Sequence, residues 1–142
     1  MARKLFVDTW GWLTLRDRQE SRHQAAVEIY NQFHARTATI YTTDYVLDET
    51  FTLLFKRLPF QQAHESMTLL MDSVHAAKII LEWITPDRFA ATHQLLKKVH
   101  DKPNISFTDL TSMVVMNEMS TSSILTGDAH FTHVDLGFQL IP

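Results

Sequence analysis

Arg3-Lys4-Leu5-Phe6-Val7-Asp8-Thr9-Trp10-Gly11 holds a three-residue apolar run that stops abruptly at an acid. Leu5-Phe6-Val7 is too short for a helix and has the character of a strand buried on both faces, as in a parallel sheet. Asp8 stands where the run ends, followed by Thr9 and then by Gly11, one of three glycines in the chain. In open α/β sheets, ligands bind in the crevice beyond the carboxyl ends of the strands. An acid placed there by a central strand is positioned to hold a cation. The plainer reading is that Asp8 caps the next helix, and this stretch alone does not separate the two.

Outward from that strand, Trp12-Leu13-Thr14-Leu15 leads into the charged segment Arg16-Asp17-Arg18-Gln19-Glu20. Ser21 is read as the cap of a helix through about Ala35, with Ala26, Ile29, Tyr30 and Phe33 at helical spacing. Thr39-Ile40-Tyr41 is a second strand. Thr42-Thr43-Asp44 caps a helix to Leu58, where Pro59 stops it. Residues 60–75 form another helix with Ala63, Met67, Leu70, Met71 and Val74 on one side.

Lys78 to Ile84 is read as the third strand, which makes its Trp83 a core residue. Thr85-Pro86 is a cap followed by proline at the first helical position, opening a helix to about His100. A loop over 101–104 precedes a helix from Ser106 to Met119 that is apolar nearly all round and so predicted buried. Ser123-Ile124-Leu125-Thr126 is the fourth strand, 129–133 a short helical turn, and Phe138 to Ile141 the last strand. Strands alternating with helices predict a mostly parallel sheet covered on both faces: α/β, a three-layer α/β/α sandwich, one domain over 1–142.

Composition narrows the function. With 45% hydrophobic and 20% charged residues the chain is ordinary for a globular protein. A net charge of −3 excludes a basic nucleic-acid coat but allows a local basic groove. With no cysteine, disulfides and thiolate zinc sites are excluded. Two basic residues before a three-residue apolar run do not make a signal peptide, and no run approaches the ~18 apolar residues of a membrane span. A cytoplasmic protein without membrane contact is the expectation.

Four acids share one kind of address. Asp8 ends the first strand and Asp128 the fourth, in Ile124-Leu125-Thr126-Gly127-Asp128. Glu49 and Asp109 lie in early helical turns. Strand ends and the starts of following helices meet along one edge of a parallel sheet, so these carboxylates are placed to converge. Oxygen ligands without thiol or histidine suit Mg²⁺ or Mn²⁺ rather than zinc. Each acid also has a plain role. Ser106-Phe107-Thr108-Asp109 has capping-box spacing. Glu49 points away from the apolar face of its helix, with Asp44 and Asp48 as competitors, and Asp128 fits a turn.

The residues Phe6-Val7-Asp8-Thr9, Thr43-Asp44-Tyr45-Val46-Leu47-Asp48-Glu49-Thr50, Ser106-Phe107-Thr108-Asp109 and Ile124 to Phe131, with the tail Val134 to Phe138, resemble the PIN-domain family. The likeness is to its VapC-type toxins of type II toxin–antitoxin modules, and it spans the chain. It implies an α/β/α sandwich and a metal-dependent endoribonuclease whose acidic quartet is Asp8, Glu49, Asp109 and Asp128. Of these, Asp8, Asp109 and Asp128 are the metal ligands, with Mg²⁺ or Mn²⁺ as the metal. The choice of Glu49 over Asp48 rests on the resemblance. Many members carry a further acid two residues after the last one, and His130 stands there instead, which leaves a second metal site open. Thr9, Ser112 and Thr126 are hydroxyls placed to support the ligands.

Arg16, Arg18, Arg22 and His130 are candidates for contact with RNA, whose phosphates dominate such affinity; a solvated charged loop is the plain alternative. Trp10 and Trp12 suit base stacking or a dimer interface. The expected partners are an RNA substrate, an antitoxin and a second copy of the chain. The rival readings are a PIN nuclease in RNA processing, a non-catalytic PIN-like binding protein, and a receiver-type phosphoacceptor. The last wants a lysine near a late strand, and none follows Lys102.

Overall fold

The computed structural model describes residues 4–35, 38–101, 105–121, 123–126 and 139–141. Five strands form one sheet: β1 (Lys4–Val7), β2 (Thr39–Thr43), β3 (Ile80–Glu82), β4 (Ser123–Leu125) and β5 (Gln139–Ile141). Among the described residues six helices accompany them: α1 (Thr9–Arg16), α2 (His23–Ala35), α3 (Asp44–Arg57), α4 (Phe60–His75), α5 (Pro86–Lys98) and α6 (Phe107–Glu118). The strand order is β3-β2-β1-β4-β5, and every pairing is parallel. The α/β/α sandwich with a parallel sheet is therefore the architecture found.

β1 lies at the centre. Leu5, Phe6 and Val7 are each fully buried, because helices cover both faces of the sheet. At about 25 cal/mol per Å² of apolar surface, each such side chain contributes roughly 1.5–3 kcal/mol. Phe6 meets the ring of Tyr41 edge-on at 5.2 Å, so the core crosses from β1 to β2. Lys4, half-buried at the start of the strand, donates from its ammonium to the Met119 carbonyl at 2.6 Å.

The chain builds the sheet outward from β1 through β2 to β3. It then returns across β1 to add β4 and β5 on the other side. The order reverses between β1 and β4, and a crevice opens at such a switch point beyond the carboxyl ends of the strands.

Local signals set most boundaries. Thr43 caps α3, accepting the Val46 amide at 3.1 Å, and the helix ends before Pro59. Thr85 caps α5 with Pro86 at its first turn. α4 matches the expected 60–75.

Four expectations are corrected. The stretch after β1, left without an element, is the helix α1, which buries Thr9, Gly11, Trp12 and Leu13. β3 covers only Ile80–Glu82 rather than 78–84. Trp83 therefore lies beyond it and is 62% exposed, not core. Trp12 goes the other way. It is buried, donating from Nε1 to Thr42 Oγ1 at 3.2 Å and meeting Tyr30 edge-on, so it is available neither for stacking on a base nor at an interface. The turn expected over 129–133 lies outside the described residues. Among the described residues no helix is long and apolar enough to cross a membrane.

Candidate active site

Asp8 follows β1 directly and is buried. A carboxylate is costly to bury unless donors replace water. Here Oδ1 accepts the Gly11 amide at 2.9 Å, capping α1, and Oδ2 accepts the hydroxyl of Thr126 just past β4. The Asp8 amide donates to the Leu125 carbonyl at 3.4 Å. The two readings of Asp8 are thus compatible: one oxygen caps a helix while the other spans the switch point between β1 and β4.

Gly11 makes the close approach possible. A Cβ there would lie 2.8 Å from Val7 Cγ1 and nearer still to the Leu125 carbonyl. This helical glycine is present for proximity, not for a turn.

The other acids sit on neighbouring helices. Glu49 is half-buried in the second turn of α3, whereas the adjacent Asp48 is exposed. Asp109 is the third residue of α6 and closes a capping box. Its amide donates to Ser106 Oγ at 3.0 Å, and its carboxylate accepts the Ser106 amide at 3.4 Å. α3 packs against both α1 and α6, which brings the helices carrying Asp8, Glu49 and Asp109 side by side. Asp44, the other competitor, is engaged structurally. Its Oδ1 accepts the Ile84 amide at 2.7 Å, tying the exit of β3 to the start of α3.

No family model matches the chain. It is 27% identical over 128 residues to the 23S rRNA-specific endonuclease VapC20 of Mycobacterium tuberculosis, in strains CDC 1551 / Oshkosh and H37Rv. That alignment covers 90% of this chain and 92% of the relative. The crystal structure of VapC20, a sarcin–ricin loop cleaving toxin, superimposes with a TM-score of 0.79 at 27% identity, over 92% of this chain and 95% of its own. VapBC2 of Rickettsia felis, solved with a DNA fragment from its promoter, gives a TM-score of 0.74 over 96% of each chain. At 12% identity that second likeness concerns the fold alone. Over most of its length the chain is thus similar in sequence and in fold to a VapC toxin.

The three candidate hydroxyls differ. Thr126 bonds Asp8. Ser112 is buried but turns back into its own helix, donating to the Thr108 carbonyl at 3.2 Å. Thr9 Oγ1 is buried beside Asp8 with no hydrogen-bond partner among the described residues.

Carboxylate and hydroxyl oxygens, with no thiolate in the chain, are the donor set of a hard divalent cation, so in kind these residues fit Mg²⁺ or Mn²⁺. Among the described residues no three acids or histidines form a group able to hold a metal ion, so Asp8, Glu49 and Asp109 do not close a site by themselves. Asp128, the fourth acid of the expected quartet, and His130 lie outside the described residues.

The basic candidates separate as well. Arg16 and Arg18 line a cleft at the far end of α1, whereas Arg22 is exposed and not part of its lining. Trp10 is 39% exposed on the first turn of α1, with the Arg57 guanidinium 5.1 Å from its ring centroid. Arg57 and Ser66, which share the cleft with Arg16, were not legible as site residues; no local pattern marks them.

Proposed function

We propose that this chain is an endoribonuclease dependent on Mg²⁺ or Mn²⁺ and the toxin of a toxin–antitoxin pair, acting in the cytoplasm. The observation that carries the reading is Asp8. It is a buried carboxylate at the switch point of a parallel sheet, held from two elements by Gly11 and Thr126. The similarity to an RNA endonuclease over 90% of the chain supports the same chemistry.

Asp8, Asp109 and Asp128 would hold the metal, with Glu49 completing the acidic set. When bound, the divalent ion would supply activation of water and neutralise charge on the phosphoryl oxygens. Thr126 fixes the orientation of Asp8, and the cap to Gly11 prevents its rotation. A carboxylate of the set accepts the proton of the attacking water as the water oxygen bonds to phosphorus; the opposite P–O bond breaks, and the departing ribose oxygen takes a proton from solvent. Exposed Phe60, Trp83 and Phe89 support docking of an antitoxin and of a second copy of the chain.

The test uses the full chain with 23S rRNA and with unstructured RNA, in Mg²⁺, Mn²⁺ or EDTA. Cleavage is expected only with metal, and Asp8→Asn should reduce it well over tenfold while the circular dichroism spectrum is unchanged. Either metal should raise the melting temperature of the unmutated chain by linkage, and most of that rise should vanish in Asp8→Asn. Cleavage that persists in EDTA and in Asp8→Asn would refute the reading.

A further inference from the structure

We propose that the cleft at the far end of α1 is a subsite for a backbone phosphate of the RNA strand, held by Arg16 and Arg18. The inference rests on the ribonuclease reading above. The cleft has a volume of about 600 Å³ and lies between the end of α1, the end of α3 and the first half of α4.

Its charges are unequally engaged. Arg57 is already paired with Glu20 at 2.8 Å and reaches Asp17 at 3.9 Å. Arg16 is half-buried, and its Nε donates to Ser66 Oγ at 3.0 Å; Ser66 itself is 3% exposed. A guanidinium has five N–H donors, and this bond uses one of them. Among the described residues no ion pair is found for Arg16 or Arg18, although Asp17 and Glu65 also line the cleft. A half-buried guanidinium, fixed from behind by a neutral hydroxyl and facing a void, is built to take an oxyanion on its planar fork.

Two further observations select RNA over an acidic protein segment. The cleft belongs to the same helix as the candidate catalytic acid. Asp8 caps α1 at one end and Arg16 ends it at the other, about 12 Å away at 1.5 Å per residue. Between them lies Trp10, exposed and in contact with Arg57, which lines the cleft. An aromatic face between two phosphate positions suits a strand whose bases stack as its backbone passes. An acidic peptide would leave that ring unused.

The experiment measures binding of a fluorescent single-stranded RNA to the full chain carrying Asp8→Asn, as a function of salt. Arg16→Gln should weaken binding roughly tenfold, the effect of one charge-assisted contact, and reduce the salt slope by about 0.7. Arg18→Gln should act in the same direction. Trp10→Ala should weaken binding without changing the slope, and Lys97→Gln, on the exposed side of α5, should change neither. Arg16→Lys keeps the charge but loses the fork; it should retain the slope with reduced affinity, and it tests the same contact if Arg16→Gln does not fold. Unchanged affinity and slope in both Arg16→Gln and Arg18→Gln would overturn the proposal. So would a poly-glutamate peptide that binds more tightly than RNA and is lost with Arg16→Gln, since the cleft would then belong to a protein partner. Failure of the ribonuclease reading is separable, because it shows as absent or EDTA-insensitive cleavage in the chain with Asp8 intact.

Discussion

Gly11 is the residue on which the site depends most directly without taking part in chemistry. Its missing side chain lets α1 approach the Leu125 carbonyl, and that approach brings Asp8 within reach of Thr126 across the switch point. A methyl group there meets backbone on one side and Val7 on the other, and backbone cannot swing aside. Gly11→Ala should therefore destabilise the protein by about 1–3 kcal/mol, the usual cost of overpacking, despite the higher helix propensity of alanine. Urea denaturation measures this; an unchanged midpoint would mean that α1 shifts freely and does not position Asp8. Asp109 also serves two ends, because its capping box holds the start of α6 while placing a carboxylate on the helix next to α3.

At the scale of elements, α3 decides between two adjacent acids. Its buried face carries Val46, Leu47, Thr50 and Leu54, which leaves Asp48 exposed and Glu49 half-buried on the flank. The Asp48 carbonyl accepts the Thr52 hydroxyl at 2.9 Å. If Glu49 belongs to the acidic set, Glu49→Gln should lower RNA cleavage at least tenfold while Asp48→Asn stays within about twofold, by the logic that only interactions made in the transition state lower turnover. The reverse order in a single-turnover assay would move the site to Asp48. β3 is likewise held by contacts beyond its own ladder. Arg88 donates to Glu82, to Glu118 and to the Trp83 carbonyl, joining β3, α5 and α6. Burial works against the charge of Arg88, yet its bonds to the two glutamates prevail and raise its pKa.

Across the whole molecule, the core sets the response to alkali. Burial raises the pKa of the Tyr41 hydroxyl well above its usual value, an effect that the hydroxyl of Thr121 opposes and the nearby Glu82 carboxylate reinforces. Tyr30 is raised by burial as well. Above about pH 10 the unfolded chain loses these protons while the folded chain retains them, so the folded state binds more protons and stability falls as pH rises. Below that pH the contribution is fully present. Denaturant midpoints should therefore decline from about pH 10 upward, and Tyr41→Phe should flatten much of that decline. A variant whose alkaline slope matches that of the unmutated chain would show that Tyr41 ionises as readily folded as unfolded.

What the sequence determined by itself was whatever short-range physics controls. The residues 60–75 showed their helix through periodicity, Thr43, Thr85 and Ser106 showed their helix starts through capping, and Leu5-Phe6-Val7 showed a strand covered on both faces. α1 was marked only by its cap at Asp8 and not by periodicity, because Thr9 to Arg16 contains a glycine and two tryptophans of opposite fate, and its apolar pattern is broken by the face that packs on backbone. The tertiary structure alone decided which distant groups meet. Thr126 lies 118 residues from Asp8, Ser66 lies 50 from Arg16, and Ile84 lies 40 from Asp44. Those contacts depend on the crossover that returns the chain past β1, which is chosen by how the helices bury their faces together and not by any local propensity. The same global choice buried Trp12 and exposed Trp83, because burial of a side chain depends on what the rest of the fold lays over it.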